Sequence, residues 1–304
     1  MIPASSRAFH AMGTEVELQA WPNLPAATAV SVESLFEEIE GRLSRFRPDS
    51  ELSQLNLSAG RPFLASEILR RVMSAALIAA SRSGGLFDPT VLHAVRAAGY
   101  RDSIEVVQMS EQIQTPSQPR QHADAVRIAT DGTITLPPGV GIDLGGIAKG
   151  WAVDEAAGLM PDAGAWLINA GGDLLVRGGG PNGDGWMIGV EDPFLLGTDI
   201  AVLSLKDCAV ATSSTTRHRW KTQAGTAHHL IDPRTGLPST SDLVSVTVLA
   251  ESVAESEVTA KTLLLQGERE ARRLTQETGV AALLVTNAGS VYASDTMEQH
   301  LVAS

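Results

Sequence analysis

The sequence predicts an α+β fold of mixed sheets with flanking helices. Strand patterns outnumber helical ones, and they follow one another directly instead of alternating with helices as a βαβ repeat requires. With 304 residues, 43% of them hydrophobic, the chain can bury a large core in one big domain or two intimate lobes. It contains no internal repeat.

Taken in order, residues 9 to 21 alternate as a strand (Thr14, Val16, Leu18). Residues 26 to 46 carry Val32, Leu35, Phe36, Ile39 and Leu43 at the spacing of an amphipathic helix. A second helix, rich in Ala and Leu, fills 66 to 83 and ends at Gly84-Gly85. Residues 110 to 125 are polar, with Gln and Pro, and read as a surface loop. A helix starting near Ile147 runs to about Met160, and strands at 166–169 and 174–176 flank Ala170-Gly171-Gly172-Asp173. Short strands continue at 186–190, 200–205, 209–212 and 243–249. A helix over 256–265 and strands at 281–285 and 291–293 close the chain.

Charge and composition exclude several classes of function. The formal charge of −12, from 35 acidic and 23 basic residues, opposes nucleic-acid backbone and anionic membrane, so any anionic ligand must be held by local groups. Aromatic content of 4% argues against base-stacking platforms. The single cysteine, Cys208, permits no internal disulfide or thiolate cluster and reads as a buried structural thiol. The first seven residues show no basic region before a long apolar run, and no apolar run reaches the roughly 20 residues of a membrane span. These features predict a cytoplasmic protein with neither nucleic acid nor membrane as partner.

The segment from Asp143 to Asp154, Asp-Leu-Gly-Gly-Ile-Ala-Lys-Gly-Trp-Ala-Val-Asp, carries the most chemistry. Gly145 and Gly146 permit a sharp turn that brings backbone amides near an anion, the following helix adds its positive end, and Lys149 adds a charge. The spacing matches neither GxGxxG nor GxxxxGK[ST]. Taken alone, such a turn equally suits a tight connection.

Further clusters also set a polar side chain among turn residues between apolar runs. They are Ala11-Met12-Gly13-Thr14, residues 44–52 (Ser-Arg-Phe-Arg-Pro-Asp-Ser-Glu-Leu), Gly85-Leu86-Phe87-Asp88-Pro89-Thr90, Asn169 to Asp173, Ala211-Thr212-Ser213, and residues 228–236 (His-His-Leu-Ile-Asp-Pro-Arg-Thr-Gly). In this order, over about residues 9 to 295, they resemble the signature series of the ApbE family, the FAD:protein FMN transferases. The resemblance implies one ApbE-like, T-fold-like domain over 1–304. That domain would cleave the FAD pyrophosphate with magnesium and attach FMN to a Thr or Ser hydroxyl of a partner protein. Alternatives are an FAD pyrophosphatase releasing FMN and AMP, and a non-catalytic FAD-binding protein.

By position, the resemblance places Met12, Phe46, Leu86, Phe87, Asp88, Asp143, Gly145, Gly146, Lys149 and Leu230 at the flavin nucleotide, with the Gly146 carbonyl facing a metal. Phe46 stands where many relatives have tyrosine, which keeps ring stacking and loses a phenolic hydrogen bond. His229 is either the acceptor of the incoming hydroxyl's proton or a histidine bonded to the Asp232-Pro233 turn. Asp173 and Asp232 read as turn organisers.

The chain departs from the family pattern at the metal. Where the family has an Asp and, four residues on, a Thr, the ungapped match places Glu257 and Lys261, and a protonated lysine cannot ligate magnesium. A gapped match would use Glu255 and Thr259. Glu257 and Lys261 lie beside the apolar stripe of Ala254, Val258 and Leu265, so they are expected to face inward. Lys261 then takes part of the space of the cation, pairing with Glu257 and the pyrophosphate and leaving magnesium weakly bound or dispensable; the alternative is an exposed Glu-to-Lys helix pair worth about 0.3–0.5 kcal/mol.

Overall fold

The computed structural model describes residues 5–58, 60–100, 122–217, 219–222 and 225–302. Its strands are β1 (Ser5–Ala11), β2 (Thr14–Trp21), β3 (Phe63–Leu64), β4 (Arg127–Ile128), β5 (Thr133–Thr135), β6 (Ala165–Ala170), β7 (Asp173–Arg177), β8 (Trp186–Glu191) and β9 (Asp199–Leu205). They continue with β10 (Cys208–Ser214), β11 (Arg219–Thr222), β12 (Gly225–His228), β13 (Ile231–Asp232), β14 (Leu237–Pro238), β15 (Leu243–Ala250), β16 (Ala281–Thr286) and β17 (Val291–Ala293). The helices are α1 (Ala26–Leu43), α2 (Glu51–Leu57), α3 (Glu67–Arg82), α4 (Leu92–Ala97), α5 (Ala148–Ala157), α6 (Val253–Gln266), α7 (Glu268–Thr278) and α8 (Asp295–Glu298). The chain divides into two compact units: Met1–Glu37 with Lys149–Ser214 and Ser241–Ser304, and Glu38–Ala148 with Thr215–Thr240.

The first unit is built on an eight-stranded sheet in the order β1-β2-β6-β7-β10-β15-β16-β17. Each of its ladders is antiparallel, so the fold mixes helix with strand and not strand direction. Strands β6, β7, β15 and β16 are buried almost end to end, which leaves both faces to be covered. Helix α6 covers β10 and β15. Against the sheet, Trp186, Val190, Leu203 and Leu205 of the β8–β9 hairpin pack with Leu167, Leu174, Val176, Val210 and Leu283. The strand expected over 9 to 21 is in fact a hairpin: Ala11 pairs with Thr14, and Met12 and Gly13 form the turn at φ 54° and 72°. Methionine is a weak sequence signal for a left-handed turn, so residue pattern alone does not reveal the break.

The second unit carries helices α2, α3 and α4. Helix α3 begins at Ser66, whose Oγ accepts from the Leu69 amide at 3.2 Å. Ser66 in turn donates its Oγ to Glu51 Oε2 at 2.6 Å, which joins α2 to α3. A three-stranded sheet, β3-β5-β4, and the hairpins β11–β12 and β13–β14 complete the unit. Trp220, Val95, Ala98, Ala227 and Ile231 form one of its cores. Most of the loop expected at 110–125 lies outside the described residues, and Ala123–Ala125 form a 3-10 turn. Helix α1 stops at Leu43, three residues short of expectation, and leaves Phe46 39% exposed. Among the described residues no helix is long and apolar enough to cross a membrane.

Candidate active site

In the first unit, Lys149, in the first turn of α5, meets two carboxylates. Its Nζ bonds Asp173 Oδ2 and lies 3.7 Å from Glu257 Oε1. Asp173 opens β7 after a turn in which Gly171 and Gly172 take φ of 66° and 98° and Asn169 Oδ1 accepts from the Gly172 amide at 2.8 Å. A Cβ on Gly171 would fall 2.1 Å from Thr14 Oγ1, so no other residue fits there. The turn organiser is therefore Asn169. Asp173, expected in that role, is buried and spends its carboxylate on Lys149.

Helices α5 and α6 cap one another. Glu257 Oε2, from the middle of α6, accepts from the Gly150 amide in the first turn of α5 at 3.0 Å. Asp154 of α5 accepts from the first amides of α6, Val253 at 2.8 Å and Ala254 at 2.9 Å. Burial pushes the Asp154 carboxyl up to about 6 against the lowering effect of those two amides, and the charges of Glu155 and Glu257 push the same way as burial. Glu257 is 7% exposed, Lys261 and Thr259 are half-buried, and Glu255 is exposed in the first turn of α6. Helix geometry thus turns Glu257, and not Glu255, toward Lys149.

The amides expected to cradle an anion are largely occupied. Gly145 donates to Asp143 Oδ1 at 2.7 Å, Ile147 and Ala148 donate to the Leu144 carbonyl at 3.1 and 2.9 Å, and Gly150 donates to Glu257. Nor do Gly145 and Gly146 adopt left-handed φ. A Cβ on Gly145 would sit 3.0 Å from Asp143 Oδ1, so the glycine serves close approach of that carboxylate. The charge expected to be locally positive is, around Lys149, one ammonium against Asp173 and Glu257. In this loop those four amides are paired within the protein, and Lys149, Asp173 and Glu257 supply the charged groups beside it.

In the second unit, Asp143 is the hub. Its amide donates to the Pro89 carbonyl at 2.8 Å, and its Oδ2 lies 3.0 Å from Arg45 Nε. Asn56 holds the preceding residue by both backbone groups, donating to the Ile142 carbonyl at 2.9 Å and accepting from its amide at 2.7 Å. Asp88, 5% exposed, accepts through Oδ1 from the Thr90 amide at 2.7 Å and Thr90 Oγ1 at 2.6 Å, while its buried Oδ2 has no hydrogen-bond partner among the described residues. Burial raises its pKa against these bonds. Leu86, Phe87 and Leu230 are buried, at 8%, 3% and 2%. Phe46 meets Tyr100 edge-on at 5.6 Å, and Tyr100 stacks on Trp220 at 5.6 Å.

His228 and His229 differ in setting. His228 is 7% exposed, its Nε2 lies 3.1 Å from the Ser239 carbonyl, and burial pushes its pKa below the ordinary histidine value. His229 is half-buried. Asp232 spends its carboxylate on Arg234, at 2.7 Å from Nη2 and 2.9 Å from Nε, and organises its own turn. Sequence reading passes over Arg45, Tyr100, Asn56, Gly150 and Asp154 and misjudges Asp173. Each acts through a partner far away in the chain.

The residues present do not fit a dedicated divalent-ion site. Asp173 and Glu257 are both turned to Lys149, Glu257 also holds a backbone amide, and among the described residues no three His, Cys, Asp or Glu side chains group to hold a metal.

Fold and site define a class: α+β proteins in which an aspartate-glycine turn feeds a lysine onto carboxylates at a helix start. The chain belongs to the ApbE family, whose sequence profile matches residues 12–284. It is 32% identical over 316 residues to the FAD:protein FMN transferase of Rhodobacter capsulatus, a match covering 99% of this chain and 59% of that relative's length. To the Treponema pallidum protein of the same name it is 30% identical over 303 residues, covering 92% of this chain and 84% of the relative. The crystal structure of the ApbE protein from Thermotoga maritima has a similar fold, with a TM-score of 0.88 at 25% identity, covering 99% of this chain and 100% of that one.

Proposed function

We propose that this chain is a cytoplasmic FAD:protein FMN transferase that links FMN by a phosphoester to a Thr or Ser hydroxyl of an acceptor protein. The observation that carries the reading is Lys149, held between Asp173 and Glu257 directly after the Asp143-Gly145 turn, in a chain matched to the family almost throughout. In the reaction, the acceptor oxygen bonds to the phosphorus of the FMN half as that phosphorus loses its bond to the bridging oxygen, which leaves with AMP. The hydroxyl proton passes to His229, and neutral histidine suits that task. Charge accumulates on the pyrophosphate oxygens, so positioned cations supply most of the rate.

In this reading Lys149 faces one phosphate, and Lys261, one helical turn from Glu257, supplies a second ammonium. Two lysines then serve where a divalent ion would, and magnesium is weakly bound or dispensable. Met12 supports a ligand-facing role for the β1–β2 turn, because a non-glycine residue at φ 54° is strained and such strain concentrates at functional sites.

Incubation with FAD and a Thr-bearing acceptor peptide tests the reading by mass spectrometry. A peptide heavier by FMN, with AMP released, is expected. Free FMN and AMP would make the protein a pyrophosphatase, and intact bound FAD a binding protein. Calorimetry with no heat on FAD addition, with or without divalent salt, would end the proposal. Magnesium titration of the same assay is expected to change the rate little, and a strict, saturable requirement would overturn the lysine argument.

A further inference from the structure

Arg45 has no role in the reaction above, yet it is a buried cation held on several sides. It is 9% exposed, with Nε 3.0 Å from Asp143 Oδ2 and Nη1 donating to the Tyr100 carbonyl at 2.9 Å. Its guanidinium carbon stands 4.1 Å from the Phe46 ring centroid and 4.5 Å from that of Tyr100, so both rings contact the charge. Nη2 is buried with no hydrogen-bond partner among the described residues.

Stability alone does not account for this residue. A buried guanidinium with an unsatisfied nitrogen is costly, and an apolar side chain of similar volume would pack the same rings without that cost. What an apolar residue cannot do is grip Asp143. That carboxylate is shared: Oδ2 faces Arg45 and Oδ1 holds the Gly145 amide at 2.7 Å. With Oδ2 paired to Arg45 Nε and Oδ1 engaged by the Gly145 amide, both oxygens of the carboxylate are held, and with them the Asp143-Gly145 turn.

We infer that Arg45 is a positioning residue for flavin transfer, acting through Asp143 on the Gly145 turn and through its stacking on the ring of Phe46. The inference rests on the transferase reading.

The test is a double-mutant cycle on the full chain, with Arg45→Met, Asp143→Asn and their combination, and with Arg45→Lys as the conservative variant. Readouts are kcat and KM for FAD and the urea midpoint. Arg45→Met is expected to lower kcat by about 10²-fold, the scale of an ångström-sized misplacement, with a smaller change in KM. Asp143→Asn should lower kcat comparably, and the double variant should be no worse than either single one, because both break one relay. Arg45→Lys keeps the charge but not the planar group that reaches the Tyr100 carbonyl and both rings, and should recover roughly a tenth of wild-type kcat.

The inference is overturned if Arg45→Met keeps kcat within about two-fold. Losses that multiply in the double variant, or that simply track the urea midpoint, overturn it too. Should Arg45→Met not fold, the kcat of Arg45→Lys against Asp143→Asn decides by the same criterion. Wild-type protein that does not turn over FAD removes the transferase reading itself, whereas wild-type turnover with an indifferent Arg45→Met removes this inference alone.

Discussion

Gly150 should be the least replaceable residue in the first turn of α5. An alanine Cβ there would lie 2.7 Å from the Ala254 amide nitrogen and 2.8 Å from the Val253 carbonyl carbon and oxygen, where ordinary contact begins near 3.4 Å. These are backbone atoms at the start of α6, fixed by Asp154 at 2.8 and 2.9 Å, so no side-chain rotation relieves the overlap. The helices must part by about 0.7 Å, the difference between 3.4 and 2.7 Å, and the Glu257–Gly150 bond at 3.0 Å stretches with them. Overpacking costs about 1–3 kcal/mol. Weakening a bond to a charged group adds about 1–2 kcal/mol. Alanine's helix propensity returns about 1 kcal/mol.

The expected outcome for Gly150→Ala is a net loss of about 1–4 kcal/mol in urea unfolding followed by tryptophan fluorescence. Gly41, inside α1 with nothing within 4 Å of where an alanine methyl would sit, is the control: Gly41→Ala should gain up to about 1 kcal/mol. If Gly150→Ala equals or exceeds the wild type in stability, the account of how α5 and α6 approach one another is wrong.

Lys149→Met leaves the buried Asp173 carboxylate without its cation and should cost about 3 kcal/mol, the low end for a broken buried pair because Lys149 is 29% exposed. Unfolding at wild-type urea concentrations would contradict this. Asn56→Ala removes two hydrogen bonds to Ile142 and should cost about 2 kcal/mol in the same experiment, and a change below about 0.5 kcal/mol would show that the clamp is idle. Asp154 binds a proton more tightly folded than unfolded, with its pKa raised from 3.8 to about 6. Its contribution is therefore fully present below pH 3.8 and is lost as pH rises through 6, by about 3 kcal/mol at 1.4 kcal/mol per pH unit. Asp154→Asn should lack that slope between pH 4 and 7, and parallel pH profiles for the two proteins would refute it.

The legible parts of this chain are those whose cause is local. Strand β17, although partly exposed, has the bounds its pattern predicts, and β6, β7 and β16 match to within a residue or two because near-continuous burial leaves apolar runs that glycine and asparagine punctuate. Helix α7 escapes the pattern for the opposite reason: of its eleven residues, Glu-Arg-Glu-Ala-Arg-Arg-Leu-Thr-Gln-Glu-Thr, only Ala271 and Thr275 are buried, so its apolar stripe is too thin to read. Helices α2 and α4 are simply short, at seven and six residues.

The same division runs through the site. Glu257 is readable because one helix's own period places it beside a stripe of apolar residues. Asp173 is not, since an aspartate after two glycines suits a turn equally well, and only its contact with Lys149, 24 residues away, decides otherwise. Gly150 and Glu257 are 107 residues apart, and Asn56 and Ile142 are 86. The pairing of the loop amides follows the same logic: a glycine turn shows where amides are freed from a helix, but which carboxylate then pairs with them is decided by the tertiary fold. In this chain that partner is a carboxylate at each end of the turn, Asp143 before it and Glu257 after it.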